Sequence, residues 1–232
     1  EPSVASRGTM TDLPPRALLA RNIPLLFLIK GLRWFMLVMP ILVLFFLAEG
    51  LTMTDVLVLQ AVFSVTIVGL EVPSGWIADV WGRRLSLIGG SIFGAAAFVA
   101  YALGQGFWGF LAAELLLGVG ASLVSGADSA MLFDTLSALG EDERYRGAEG
   151  KLLSVGNFSE AAAAIVGGLL ATLSLRTPIV GQAIVTSLAI PCCLLLVEPP
   201  RSGPPGAGVT DLRALRAVVR FALVETPPLR AM

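Results

Sequence analysis

The sequence predicts an all-α membrane protein, a bundle of six transmembrane helices, and three observations support this. Hydrophobic residues make up 56% of the chain and charged residues 14%, whereas a typical soluble domain has about 25% charged residues. Six segments are apolar over the roughly 20 residues that a helix needs to cross a bilayer. Nearly all the arginines and lysines outside these segments lie in alternate links, and therefore on one side of the membrane. The predicted spans are 23–47, 56–77, 85–103, 107–132, 152–173 and 179–197.

The segments between these spans have the composition of turns and loops. Gly104-Gln105-Gly106 is short enough for a tight turn between two antiparallel helices. The other links are the polar residues 49–55, the charged residues 79–84 and 140–151, and the short residues 174–178.

The lysines and arginines of the links predict the orientation, because cytoplasmic loops of membrane proteins are enriched in these residues. Only Arg176 lies in the links of one side. Both ends of the chain are therefore expected in the cytoplasm. The bundle is expected in a plasma membrane, specifically a bacterial inner membrane. The other side holds Arg7, Arg16, Arg21, Arg83, Arg84, Arg144, Arg146, Lys151, Arg201, Arg213, Arg216, Arg220 and Arg230.

Three regions are expected along the chain. Residues 1–21 are polar and predict a disordered cytoplasmic tail, and residues 22–198 form the bundle. Residues 199–232 begin with a Pro- and Gly-rich linker and contain an amphipathic helix at about 210–224. This helix is expected to lie on the cytoplasmic membrane surface, and the alternative is a linker helix surrounded by solvent. Its apolar residues are Leu212, Leu215, Val219 and Leu223, and its basic residues are Arg213, Arg216 and Arg220.

The link after the second span contains the most specific motif, which reads Gly75-Trp76-Ile77-Ala78-Asp79-Val80-Trp81-Gly82-Arg83-Arg84. It resembles the signature of the major facilitator superfamily, G-x-L-a-D-r-x-G-r-[KR]. The resemblance implies the N-terminal half of a twelve-helix transporter, built from two inverted three-helix repeats, with the C-terminal half as its partner. It also implies that this loop is a latch between the halves. The alternative is a basic loop that only sets topology.

Each matching residue of the motif has a physical reason to be there. Gly75 allows another helix to approach closely, and Gly82 permits a tight turn. Asp79 is expected to face the positive end of a helix. Arg83 and Arg84 are expected to anchor the loop at the lipid headgroups.

Two positions depart from the pattern of proton-coupled drug antiporters in this family. Those proteins carry arginine in an R-x-x-x-G-x-G element, where this chain has Glu114 before Gly118 and Gly120. Their Gly-Pro-x-x-Gly-Gly element is matched only by its last two residues, Gly167 and Gly168. The departures weaken the likeness to drug antiporters without excluding that activity.

Five charged residues stand out within the predicted spans, where each charge costs about 2.5–3.5 kcal/mol on insertion scales, whereas Glu71 is nearer the cytoplasmic end of the second span. At 1.5 Å per residue, Lys30 and Asp128 lie roughly 9–12 Å from the cytoplasmic side, and Arg33 and Glu160 lie roughly 15–16 Å from it. Glu114 is the fifth charge. These residues are the candidates for substrate binding or coupling, and the alternative is a static ion-pair network that fixes helix packing.

Residues and motifs that the chain lacks exclude several classes of function. The chain has no histidine and no G-x-x-x-x-G-K-[ST] loop, so neither an intramembrane serine hydrolase at Ser125–Ser129 nor ATP-driven transport is expected. Cys192 and Cys193 are adjacent and predict packing rather than a metal site. Nothing indicates a cofactor, a metal or a nucleic-acid partner, and no enzyme activity is expected.

The predicted activity is secondary active transport by alternating access, specifically efflux of amphiphilic compounds coupled to protons. One alternative is uptake of a sugar, an amino acid or another metabolite. Another is a six-helix membrane protein that does not transport and acts as a scaffold or assembly factor. A reading frame with six further spans beyond Met232 would favour a transporter over a scaffold.

Overall fold

The computed structural model describes residues 14–200, and this part of the chain contains helices and no β-strand. The prediction of an all-α bundle is confirmed. A short 3-10 turn, Asp142–Arg144, precedes the seventh helix. The helices are α1 Arg16–Trp34, α2 Leu42–Ala48, α3 Met53–Trp81, α4 Arg83–Leu103, α5 Gly106–Val124, α6 Ala127–Ala138, α7 Tyr145–Ala171 and α8 Arg176–Leu194.

Five helical stretches are long and apolar enough to cross a membrane, and they correspond to the second to sixth predicted spans. They are Met53–Trp81, Arg83–Leu103, Gly106–Ala138, Asp142–Ala171 and Arg176–Leu194.

The first predicted span differs because it is divided into α1 and α2 by residues 35–41, which form turns. Pro40 has no N–H to donate, and a proline disfavours helical geometry in the residue before it. Gln182 compensates for the break, because its Oε1 accepts a hydrogen bond from the backbone N–H of Leu37 at 2.6 Å. Leu37 is only 3% exposed. Irregular backbone at membrane depth is tolerated where protein buries it in this way.

The fourth predicted span is also interrupted, at the junction of α5 and α6. Gly126 has φ +74°, a left-handed conformation that favours glycine. The break follows a helix of 19 residues, as does the break after α1.

Helix lengths and packing agree with two inverted repeats, α1–α4 and α5–α8. The long helices α3 and α7 have 29 and 27 residues and hold equivalent places in the two repeats. The packing of α1 on α7 is matched by that of α5 on α3, and the packing of α1 on α8 by that of α5 on α4. The repeats also meet where α4 crosses α5. A Cβ on Gly90 would lie 2.8 Å from the carbonyl oxygen of Gly120, so this crossing requires small residues.

Two cores fill the bundle. An aromatic core lies at one end, where Phe46, Tyr101 and Phe110 contact one another with ring centroids 5.3–6.0 Å apart. A second core of mainly aliphatic residues includes Leu26 and Met131 at the other end. We call this second end the arginine-rich end, because Arg16, Arg21, Arg83 and Arg84 lie there.

Two boundaries differ from the sequence prediction. Helix α1 begins at Arg16, so residues 16–21 are helical rather than part of a disordered tail. Arg16 and Arg21 hold this turn by donating to the carbonyl oxygens of Leu139 and Leu195. Helix α7 begins at Tyr145, so the second half of the predicted 140–151 loop is helical. The tail 1–13 and the predicted amphipathic helix 210–224 lie outside the described residues.

Candidate functional site

The structure brings Lys30 of α1 and Asp128 of α6 together. The Lys30 Nζ lies 2.7 Å from Oδ2 of Asp128, and the two side chains are only 11% and 12% exposed. The ammonium group also lies 5.5 Å from the centre of the Trp34 ring, within the range of a cation–π interaction. Asp128 lies in the first turn of α6, where the helix dipole favours a carboxylate.

Glu149 of α7 adds a second carboxylate to the site. The Ser129 hydroxyl donates to Oε1 of Glu149 at 2.7 Å. The other oxygen, Oε2, is buried without a hydrogen-bond partner among residues 14–200. One turn earlier, Tyr145 packs its ring edge-on against Phe133, with centroids 5.2 Å apart. The site therefore has walls from α1, α6 and α7.

Sequence reasoning missed Glu149 because it assigned this residue to a loop. The relevant signal was the spacing of Tyr145 and Glu149, which places both on one face of a helix that begins earlier than the hydropathy suggests.

Arg33 and Glu160 lie at the same predicted depth but do not meet. No ion pair joins them in the described part of the chain. Arg33 follows Leu26 and Ile29 on the buried face of α1, and its buried Nη1 has no partner within residues 14–200. On α7, Ser159 and Val155 face α1, and their Oγ and Cγ1 atoms would lie 3.4 and 3.5 Å from a Cβ on Gly31. Depth alone does not specify the direction of a side chain around its helix.

Glu114 lies apart from the Lys30–Asp128 pair. It is 1% exposed and lies on α5, before the Gly126 break, with α3 and α4 as its neighbours. The closest described hydrogen bond comes from Nε2 of Gln60, at 3.4 Å from Oε1 of Glu114. Of the five predicted charges, Lys30 and Asp128 thus form an ion pair, whereas Arg33, Glu114 and Glu160 form none in the described part of the chain.

The loop with the signature motif is held by a carboxylate at the boundary between the predicted bundle and the predicted linker. Gly82 has φ +110°, which confirms the predicted turn. The two oxygens of Glu198 accept the backbone N–H groups of Arg83 and Arg84, each at 2.8 Å. Glu198 therefore satisfies free donors at the N-terminus of α4, as a capping residue does.

The arginines of the motif bind protein groups rather than facing outward as predicted. The Arg83 guanidinium contacts Asp134 at 3.1 Å and Asp79 at 3.2 Å. Arg84 donates to the Leu194 carbonyl oxygen at 2.7 Å. Asp79 thus pairs with Arg83, and Glu198 takes the place at the helix N-terminus that was expected for Asp79.

Gly75 has no close neighbour in the described part of the chain. A Cβ placed on Gly75 meets no atom within 4 Å. The close helix approach predicted at Gly75 is therefore not made by residues 14–200.

An apolar cavity of about 510 Å³ lies among α1, α7 and α8, within the size range of small-molecule sites. Ser159 is the polar residue in its lining. No group of three His, Cys, Asp or Glu residues that could hold a metal ion occurs among residues 14–200. The lining residues are Phe27, Leu28, Gly31, Leu32, Phe35, Val155, Ser159 and Val185.

Comparison with known proteins was made for sequence and for structure. The sequence profile of the Major Facilitator Superfamily matches residues 25–229. A search of curated proteins found no match. Among solved structures, the chain is similar to a POT family transporter in complex with a thioalcohol-conjugated peptide, with a TM-score of 0.64 and 15% identity. The match covers 91% of this chain and 48% of that one, so the chain spans about half the length of this relative. At this identity the likeness concerns the fold alone.

Proposed function

Since the chain belongs to the Major Facilitator Superfamily, as the signature motif predicted, we propose that it is the N-terminal half of a secondary active transporter. The observation that supports this most directly is the buried Lys30–Asp128 pair, which joins α1 of one inverted repeat to α6 of the other. Charges within membrane spans are rare and cluster on substrate and ion pathways. In such folds the site lies near the midplane between the repeats, and the bundles rock around it.

The proposed orientation has the arginine-rich end in the cytoplasm of a plasma membrane. At the opposite end, the Arg176 guanidinium contacts Glu49 at 2.9 Å. The uneven distribution of arginines between the two ends agrees with the preference of cytoplasmic loops for basic residues.

The proposed substrate is an amphiphilic compound, which the protein exports in exchange for protons. Trp34 and Phe133 flank the charged group and are each 39% exposed, so they offer apolar area next to Asp128 and Glu149. Uptake of a sugar or another metabolite is the second candidate, because Lys30, Asp128 and Glu149 also supply the polar groups that such a substrate needs.

Transport by the full-length protein in proteoliposomes tests this function. With an acidic interior, outward proton movement should drive the accumulation of the amphiphilic dye ethidium in vesicles that contain the protein, but not in protein-free vesicles. The Glu143→Gln variant is a control that should transport like the unchanged protein, because Glu143 is an exposed residue of the 3-10 turn. Accumulation of sugars or amino acids instead of dye would favour uptake. Absence of transport for all these compounds would favour the scaffold.

The latch function of the 79–84 loop gives a separate prediction. Replacement of Glu198 by alanine removes the acceptor of two backbone N–H groups and should destabilise the protein by about 0.5–2 kcal/mol, the usual range for a lost helix cap. Thermal unfolding of the purified full-length protein measures this. Transport should also change, because α4 and its loop are no longer tied to the end of α8. A melting temperature equal to that of the unchanged protein would contradict the capping role of Glu198.

A further inference from the structure

Glu114 is a deeply buried carboxyl group with neutral surroundings. None of the ion pairs among residues 14–200 includes it, and its residue is 1% exposed. The other predicted intramembrane acid that is buried, Asp128, has the Lys30 ammonium at 2.7 Å. Asp128 therefore has a cation that compensates its negative charge, whereas Glu114 has none among residues 14–200.

The groups that face Glu114 can be named helix by helix. From α3, Gln60 offers its amide Nε2 at 3.4 Å. From α4, Tyr101 neighbours Glu114, and its buried hydroxyl makes no hydrogen bond within residues 14–200. Tyr101 is the titratable neighbour, and it is neutral. An ionised carboxylate without a cation is very unfavourable in an apolar interior, and such a group neutralises instead.

We propose that Glu114 is protonated in this conformation and that it is the group that binds and releases the coupling proton. This inference rests on the proposed function and adds the residue that carries the proton, at a place separate from the Lys30–Asp128 pair. The ligand of this site is the proton alone.

The position of Glu114 in the fourth span explains how proton binding could be linked to the rest of the bundle. Glu114 lies eight residues after Gly106, or roughly 12 Å from the end of α5 that is opposite the arginine-rich end. Gln60 is partly exposed on α3, so it connects the buried carboxyl group to the surface of the bundle. The same span continues past the Gly126 break to Asp128. Proton binding at Glu114 and pairing at Asp128 thus act on the two parts of one interrupted helix.

Infrared spectroscopy of the purified full-length protein tests the protonation directly. A protonated carboxyl group has its own C=O stretching band, which Glu114→Gln should remove and the exposed control Glu143→Gln should retain. The band should also disappear as the pH is raised over the range in which the protein stays folded. Absence of the band from the unchanged protein, or a band that never titrates, would overturn the proposal. Neither result depends on knowing the substrate.

The coupling role is tested by the ethidium assay with and without a pH gradient. Glu114→Gln should lose the acceleration by the gradient and retain downhill dye movement at equal pH. A variant that still responds fully to the gradient would show that Glu114 only packs the helices, and this would overturn the coupling role. If the unchanged protein moves no dye, the proposed efflux fails, while the infrared titration still decides whether Glu114 exchanges a proton.

Discussion

Replacement of Asp128 by alanine should destabilise the bundle by about 3–5 kcal/mol, the usual loss when one partner of a buried ion pair is removed. The variant leaves the Lys30 ammonium, 11% exposed, without the carboxylate at 2.7 Å. Thermal unfolding of the purified full-length protein is the measurement. A loss near zero would mean that water or another acid, such as Glu149, compensates Lys30.

A double variant separates packing from function at this pair. Changing Lys30→Met together with Asp128→Leu removes both charges, and replacement of a buried pair by apolar residues is often neutral or stabilising. The double variant should therefore fold nearly as well as the unchanged protein but fail to transport. If it transports normally, the pair is part of a static network. The exposed Glu141–Arg144 pair is the matched control, since surface pairs contribute little to stability.

The second large effect is expected at Gly167, where a Cβ would collide with the backbone carbonyl oxygen of Leu37. Gly167→Ala should destabilise the protein by about 1–3 kcal/mol, as overpacking of a core usually does. The Leu37 backbone has little freedom to withdraw, because its N–H is bonded to Gln182. The α1–α2 break would therefore have to shift, and we expect transport to fall with stability.

Gly168→Ala is the matched control for this variant. A Cβ on Gly168 meets no atom within 4 Å in the described part of the chain. Alanine also favours the middle of a helix over glycine by about 1 kcal/mol, so this variant should be neutral or more stable. Equal thermal unfolding of the two variants would show that the α1–α2 break is not tightly packed against α7.

Several features follow from the sequence by itself. Apolar segments of about 20 residues are a local property, because a bilayer requires the backbone of each span to satisfy its own hydrogen bonds. The second to sixth spans were therefore predicted to within a few residues at most ends. The family followed from the motif at 75–84, since Gly82 and the charges around it have fixed spacing in a short loop. The similar depth of Lys30 and Asp128 also followed, because helical rise is constant.

Other features were decided by the tertiary structure. Residues 35–41 can leave the helix because Gln182, distant in sequence, accepts the Leu37 N–H. Glu198 follows the last predicted span at the boundary with the linker, yet it caps α4 and not α8, the helix that precedes it in sequence. Arg33 and Glu160 lie at the same predicted depth but form no ion pair in the described part of the chain, and the reason is the same. Composition and depth describe each helix along its axis, whereas contacts depend on how helices rotate and cross, and only the packed bundle determines that.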